Sequence, residues 1–141
     1  AETALGKTKD VLAVDINQEA VELCRKKGIS CIKSDLFEKV EGKFDLIIFN
    51  PPYLPEDEME DIEIRNVTTG GKHGYEILER FLIQAKQYLN KNGEILIVFS
   101  SLTNKEKVDS ILKENKYKFK LLETKKMFFE ELYVYLVNIA L

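Results

Sequence analysis

Phe44-Asp45-Leu46-Ile47-Ile48-Phe49 leads without interruption into Asn50-Pro51-Pro52-Tyr53. A short, mostly apolar run rich in β-branched and aromatic residues and closed by turn formers is the pattern of a buried strand. Two prolines stop it, because neither has a backbone N–H to donate and each holds the residue before it in an extended conformation. Asn50 is therefore expected at the carboxyl end of the strand, with its side chain and the Pro51 carbonyl facing outward. In open α/β sheets this edge is where ligands bind. Asn50, Pro51, Pro52 and Tyr53 offer acceptors and a flat ring to a planar N–H2 group, which makes them the candidate catalytic residues. The competing interpretation is a strand terminator with a proline turn and no chemistry.

Strand and helix alternate on both sides of this stretch. Val11-Leu12-Ala13-Val14-Asp15 is an apolar run that ends in an acid, and Asn17 then caps a helix through about Lys27 with Gly28 as its stop. Ile29 to Lys33 reads as a second short strand, followed by Asp35 and Leu36, and a turn through Glu41-Gly42-Lys43 leads into the strand that ends at Asn50. Strands this continuously apolar are expected to be buried on both faces of a parallel sheet. Residues 54 to 74 read as a long polar loop, and loops of that length inside compact domains are usually functional or mobile. Ile77, Leu78, Phe81, Leu82, Ala85 and Leu89 make the apolar stripe of a helix from Tyr75 to Leu89, closed by Asn92-Gly93. Glu94 to Ser100 reads as the next strand. Thr103 with Glu106 suggests a capping box for a helix to about Asn115, built on Val108, Ile111 and Leu112. Tyr117 to Thr124 and Leu132 to Ala140 then pair as an antiparallel hairpin.

At 141 residues and 45% hydrophobic content the chain reads as one domain with a workable core. No run of about 18 apolar residues predicts a helical membrane span, and no charged-then-apolar leader is visible. Cys24 and Cys31 sit in apolar settings and read as reduced core residues of a cytoplasmic protein. The net charge of −3 is uneven, with acids massed at Glu56, Asp57, Glu58, Glu60, Asp61 and Glu63, just after the tetrad. Acid beside a substrate mouth repels phosphate backbones and counts against a nucleic-acid substrate, although a charged loop is also ordinary solvation. His73 reads as a solvent-exposed loop residue.

An acid at the end of a strand accepts the ribose hydroxyls of an adenosine-containing cofactor in doubly wound nucleotide sites. Asp15 is a candidate for that role, with Ile16 placed to cover one adenine face. It serves equally well as a capping neighbour of Asn17.

The Asn50–Tyr53 tetrad resembles the signature of S-adenosylmethionine-dependent amino-methyltransferases, which methylate the exocyclic amine of adenine or cytosine, or the side-chain amide of glutamine. Gly70, Gly71, Gly74, Glu76, Arg80 and Phe81 resemble the segment that follows the tetrad in HemK-like glutamine N5-methyltransferases acting on class 1 translation release factors. The likeness covers nearly all of residues 10–141 and is strongest to the compact archaeal and eukaryotic branch. It implies an α/β, Rossmann-like, seven-stranded class I methyltransferase sheet with a terminal antiparallel hairpin, and S-adenosyl-L-methionine as cofactor. Asp15, Ile16, Asp35, Leu36 and Asn50 match cofactor-binding positions, Asp35 being the acid that receives the adenine amino group. The implied partners are a release factor as protein substrate and, by analogy with the eukaryotic branch, a small zinc-binding activator subunit.

The resemblance also implies a first strand and a glycine-rich loop before Ala1, without which two long apolar strand edges would lie open. Two other functions carry different sequence expectations. An adenine N6-methyltransferase of RNA or DNA should show a basic face or an added recognition domain. A non-catalytic binding module follows if the chain truly begins at Ala1.

Overall fold

Two strands organise the first part of the chain. β1 (Leu12–Asp15) and β2 (Ser30–Lys33) pair in parallel, with Leu12 opposite Ser30 and Asp15 opposite Lys33. The computed structural model describes residues 7–8, 10–51 and 74–140. The chain divides into two compact units, Ala1–Gly42 and Lys43–Leu141.

In the first unit α1 (Gln18–Lys26) connects the two strands. Asn17 Oδ1 accepts from the Glu19 and Ala20 amides at 2.8 and 3.2 Å, satisfying two donors that a helix start leaves without partners. Glu19 in the first turn and Arg25 and Lys26 in the last complement the helix dipole. Gly28 takes φ +80°, the left-handed conformation that lets the chain turn into β2. Val21, Ile29, Cys31, Phe37 and Val40 are buried. Cys24 and Cys31 are free thiols. Burial pushes the Cys31 thiol up, as do the Cys24 thiol and the Asp15 carboxylate, while Arg25 works the other way.

The second unit is a four-stranded sheet in the order β3-β4-β6-β5, built from β3 (Phe44–Phe49), β4 (Leu89–Ser100), β5 (Tyr117–Lys126) and β6 (Glu131–Ile139). β3 and β4 run parallel with Phe49 opposite Ile97, and β6 is antiparallel to both β4 and β5. The helices α2 (Glu76–Ala85) and α3 (Lys105–Glu114) bury Leu78, Phe81, Leu82 and Ala85, and Val108, Ile111 and Leu112. The sheet residues Ile95, Ile97, Phe99, Tyr135 and Val137 are buried with them. Three polar ties fix the helices to the sheet and to each other. The Tyr117 hydroxyl donates to the Leu82 carbonyl at 2.6 Å. The Lys86 ammonium donates to the Asn115 carbonyl. The Tyr135 hydroxyl donates to Asp109 Oδ1 at 2.6 Å while Lys105 Nζ holds Asp109 Oδ2 at 2.9 Å. Burial first, and this bond to Asp109 second, push Tyr135 up to about 12.

Four local expectations are revised. The helical stripe ends at Ala85, a 3-10 turn covers Lys86–Tyr88, and β4 begins at Leu89. Asn92-Gly93 therefore lies inside β4 and does not close a helix: Phe44 faces Leu89 while Leu46 faces Glu94, so residues 90–93 bow out of the ladder. A Cβ on Gly93 would meet the Asn90 and Phe44 carbonyl oxygens at 2.9 and 3.0 Å, so only glycine fits this bow. Thr103 is buried, and α3 is capped by Asn104, whose Oδ1 accepts from the Lys107 amide at 3.1 Å. Asn104 sits at φ +76°, which a short polar side chain tolerates better than threonine does.

The largest revision concerns burial. β3 and β4 do not lie buried on both faces: Ile95, Ile97 and Phe99 are buried, but Leu46 and Ile48 are 50% and 59% exposed. α2 and α3 cover one face of this sheet, and within the unit no described element covers the other. Among the described residues β1 is paired only with β2, and β3 only with β4. The strand expected ahead of Ala1 falls on no described residue. No described helix is long and apolar enough to cross a membrane.

Candidate active site

In the first unit the parallel register brings two of the sequence-chosen acids to one edge. Asp15 ends β1 opposite Lys33, and the Ser34 amide continues the ladder by donating to the Asp15 carbonyl at 3.0 Å. Asp35 follows directly, so both acids stand at the carboxyl ends of strands about 4.8 Å apart. Asp15 Oδ1 accepts from the Asn17 amide at 2.8 Å, which is the capping geometry expected from sequence. Its Oδ2 has no hydrogen bond to a described residue, so the carboxylate caps the helix approach and retains an acceptor. Ile16, the next residue, is 62% exposed, an apolar surface beside that acceptor.

The segment after β2 is held by a side chain that sequence reasoning passed over. Ser34 is buried; its hydroxyl donates to the Leu36 carbonyl at 2.9 Å and accepts from the Lys39 amide at 2.9 Å. Leu36 sits at φ +54°. A left-handed conformation in a residue without the short polar side chain of Asn or Asp costs about 1–2 kcal/mol and persists only where surrounding bonds impose it. Ser34 supplies two of those bonds, and strained backbone of this kind clusters at ligand clamps. Ser34→Ala is expected to lower stability by about 1–3 kcal/mol through the partners it strands. Urea unfolding would measure it, and a shift below about 0.5 kcal/mol would mean that the bend holds without the hydroxyl.

In the second unit β3 delivers Asn50 as expected. The residue lies exposed beyond the strand end, its carboxamide makes no hydrogen bond to a described residue, and Pro51 behind it is buried. The strand end is anchored by an aromatic stack: the rings of Phe49 and Phe81 lie 4.0 Å apart at 18°. Phe81 is buried on α2, so this helix grips the residue immediately before Asn50. Phe81 belongs to the apolar stripe read from the sequence as well as to the resembling segment; that its ring meets Phe49 was not visible there. Gly74, at φ +94°, and Glu76, the first residue of α2, belong to the same resembling segment. Pro52, Tyr53, the acids from Glu56 to Glu63, Gly70, Gly71 and His73 lie outside the described residues.

Each half thus presents acceptors at the carboxyl end of parallel strands. Asp15 can receive hydroxyl donors, and the Asn50 carboxamide can receive an N–H.

A protein of Methanocaldococcus jannaschii, provisionally named a protein N5-glutamine methyltransferase, is 44% identical over 134 residues, covering 89% of this chain and 68% of that protein. The release factor glutamine methyltransferase of Borreliella burgdorferi is 36% identical over 103 residues, or 63% of this chain and 36% of its own. The mouse methyltransferase HEMK2 is 29% identical over 114 residues, or 72% of this chain and 53% of its own. The chain therefore spans about a third to two thirds of the length of these relatives. In fold it is similar to the E. cuniculi Mtq2–Trm112 complex, responsible for methylation of the eRF1 termination factor, with a TM-score of 0.74 at 24% identity over 92% of this chain and 72% of that one. It is also similar to a Bacteroides fragilis S-adenosylmethionine-dependent methyltransferase in complex with S-adenosyl-L-homocysteine, with a TM-score of 0.66 at 17% identity over 99% of this chain and 67% of that one. The fold is that of the class I methyltransferases, as the resemblance implied. The methyltransferase small domain matches residues 2–129, a span that takes in Asp15, Asp35 and the whole of the Asn50 tetrad, and the chain belongs to that family.

Proposed function

We propose that the protein is an S-adenosylmethionine-dependent N-methyltransferase whose acceptor is the side-chain amide of glutamine in the Gly-Gly-Gln loop of a translation release factor. The observation that carries the reading is Asn50: an exposed carboxamide at the carboxyl end of β3, held by the Phe49–Phe81 stack and followed by a buried proline. The glutamine-methyltransferase names of two of these relatives support the choice of substrate. In this reading Asp15 receives the ribose hydroxyls, Ile16 lies against the adenine, and Asp35 with Leu36 receives its amino edge. An acceptor oxygen without a described partner, an exposed apolar neighbour and a strained bend fit such a ligand. When bound, the cofactor supplies an electrophilic methyl group.

The chain's own residues answer a difficulty of the acceptor. An amide nitrogen is a poor nucleophile because its lone pair is delocalised into the carbonyl. Accepting its two N–H hydrogens, at Asn50 Oδ1 and the Pro51 carbonyl, favours the pyramidal nitrogen in which that lone pair is localised. Tyr53 is assigned the stacking role that keeps the amide plane in line for transfer. No histidine is required beforehand, since the nitrogen proton becomes acidic only as the bond to carbon forms.

The reading extends to a small zinc-binding activator subunit; the likeness to Mtq2, which is in complex with Trm112, supports a partner subunit as such. It also places the protein in the cytoplasm, a reducing compartment in which Cys24 and Cys31 stay thiols. The test is to incubate the full-length protein, with and without such a subunit, against purified release factor and against total RNA and DNA, with methyl-labelled cofactor. Label is expected in the release factor. Label in nucleic acid with none in the release factor would replace this reading with an adenine methyltransferase.

A further inference from the structure

The turn between β5 and β6 carries a feature that the proposed chemistry does not use. Phe128 and Phe129 are 91% and 84% exposed, and their rings pack edge to face with centroids 4.6 Å apart at 84°. The turn is nonetheless firmly held. The Met127 amide donates to the Glu130 carbonyl at 2.8 Å, and the Glu131 amide donates to Ser101 Oγ at 3.0 Å. Ser100, fully buried at the end of β4, donates its hydroxyl to Glu130 Oε2 at 2.8 Å. Two adjacent phenyl rings offered to water on an anchored turn form the kind of exposed apolar surface that marks an interaction site.

The register says where this surface stands. β3 and β4 run in parallel, Phe49 faces Ile97, and β4 continues to Ser100, which pairs with Leu132 at the start of β6. The β5–β6 turn therefore lies at the same carboxyl edge as Asn50. It is two to three strand spacings across the sheet and four to five residues further out, roughly 20 Å in all. Phe129 also borders an open cleft of about 350 Å3, lined by Ser101, Lys126, Met127, Glu130 and Tyr133 among others.

We propose that the Phe128–Phe129 tip is a docking element for the protein substrate, gripping an apolar segment next to the acceptor amide while the cleft takes polar backbone. This rests on the reading of the protein as a glutamine methyltransferase. A polypeptide is favoured over nucleic acid by two observations. The rings meet edge to face, not as parallel platforms for stacked bases, and the turn has no basic excess to draw in phosphate, because Lys125 and Lys126 on one side are matched by Glu130 and Glu131 on the other. A cleft that offers a hydroxyl, an ammonium and carboxylates beside apolar carbon matches the mixed surface of a peptide.

The full-length protein and its Phe128→Ala/Phe129→Ala variant should be compared on purified release factor and on a capped Gly-Gly-Gln tripeptide, too short to reach the tip. For the release factor KM is expected to rise about tenfold or more, as when central aromatic anchors are removed from an interface. The kcat, the turnover of the tripeptide, cofactor affinity and melting temperature should stay close to wild type. Phe128→Leu/Phe129→Leu should recover most of the lost KM, because the contact is apolar. A release-factor KM within twofold of wild type would overturn the inference while leaving the glutamine reading intact. Equal losses on tripeptide and release factor, or a fall in melting temperature, would make the tip a structural element. A wild-type dimer that the double variant dissolves would make it a self-association surface. Wild-type protein that labels nucleic acid and never release factor would end the reading and the inference together.

Discussion

Asn50→Ala is expected to slow methyl transfer by roughly 10²–10³ while changing affinity for S-adenosylmethionine only a few-fold. The magnitude is that of removing one positioned hydrogen-bonding group from a reacting centre, about 3–4 kcal/mol of barrier. The effect should fall on kcat because the carboxamide's assigned work, localising the nitrogen lone pair, is done in the transition state and not in cofactor binding. Stability should barely move, since the side chain is exposed and makes no hydrogen bond to a described residue. Single-turnover assays with saturating cofactor would measure the loss. A variant within tenfold of wild type would reduce the tetrad to a strand terminator.

Phe81→Ala is expected to destabilise the fold by about 3–5 kcal/mol, the cost of replacing a buried phenylalanine by alanine. Phe81 is 3% exposed and stacks on Phe49 at 4.0 Å, so the lost ring leaves a cavity under the strand end that presents Asn50. Urea unfolding would read the loss, and a change under about 1 kcal/mol would mean that α2 does not anchor that end of β3. Phe81→Leu separates packing from positioning. Its volume is closer to that of phenylalanine, so the stability cost should stay near or below about 1.5 kcal/mol. It lacks a flat face for Phe49, so kcat should still fall, because small misplacements at a reacting centre are amplified in rate. A folded Phe81→Leu protein with wild-type kcat would show that the stack serves stability alone.

How much of this was legible in the chain depends on how local each signal is. The strand ending at Asn50 could be read because two prolines act on their immediate neighbours, whatever the rest of the protein does. The α1 start at Asn17 and the turn at Gly28 were equally local, as were the buried residues Val108, Ile111 and Leu112 of α3. The order of Asp15, Asp35 and Asn50 at successive strand ends followed from these punctuation marks, and with it the fold class.

Where the expectations failed, a contact distant in sequence decided the outcome. Thr103 lost the cap of α3 to Asn104 because it is buried. Asn92-Gly93 became a bow inside β4, fitted against the Phe44 carbonyl far earlier in the chain, although the dipeptide alone reads as a helix stop. The apolar runs that predicted strands buried on both faces turned out half covered, because composition counts apolar residues without saying which elements come to lie over them.

The sequence by itself determined which residues stand at the strand ends, because backbone sterics and capping are settled within a few residues. Only the tertiary structure decided that Phe81 grips Phe49, that Ser34 accompanies a strained Leu36, and that the Phe128–Phe129 tip shares an edge with Asn50. Each of these depends on long-range packing or sheet register, or on a hydroxyl whose partners only the folded backbone supplies. No propensity or periodicity encodes them.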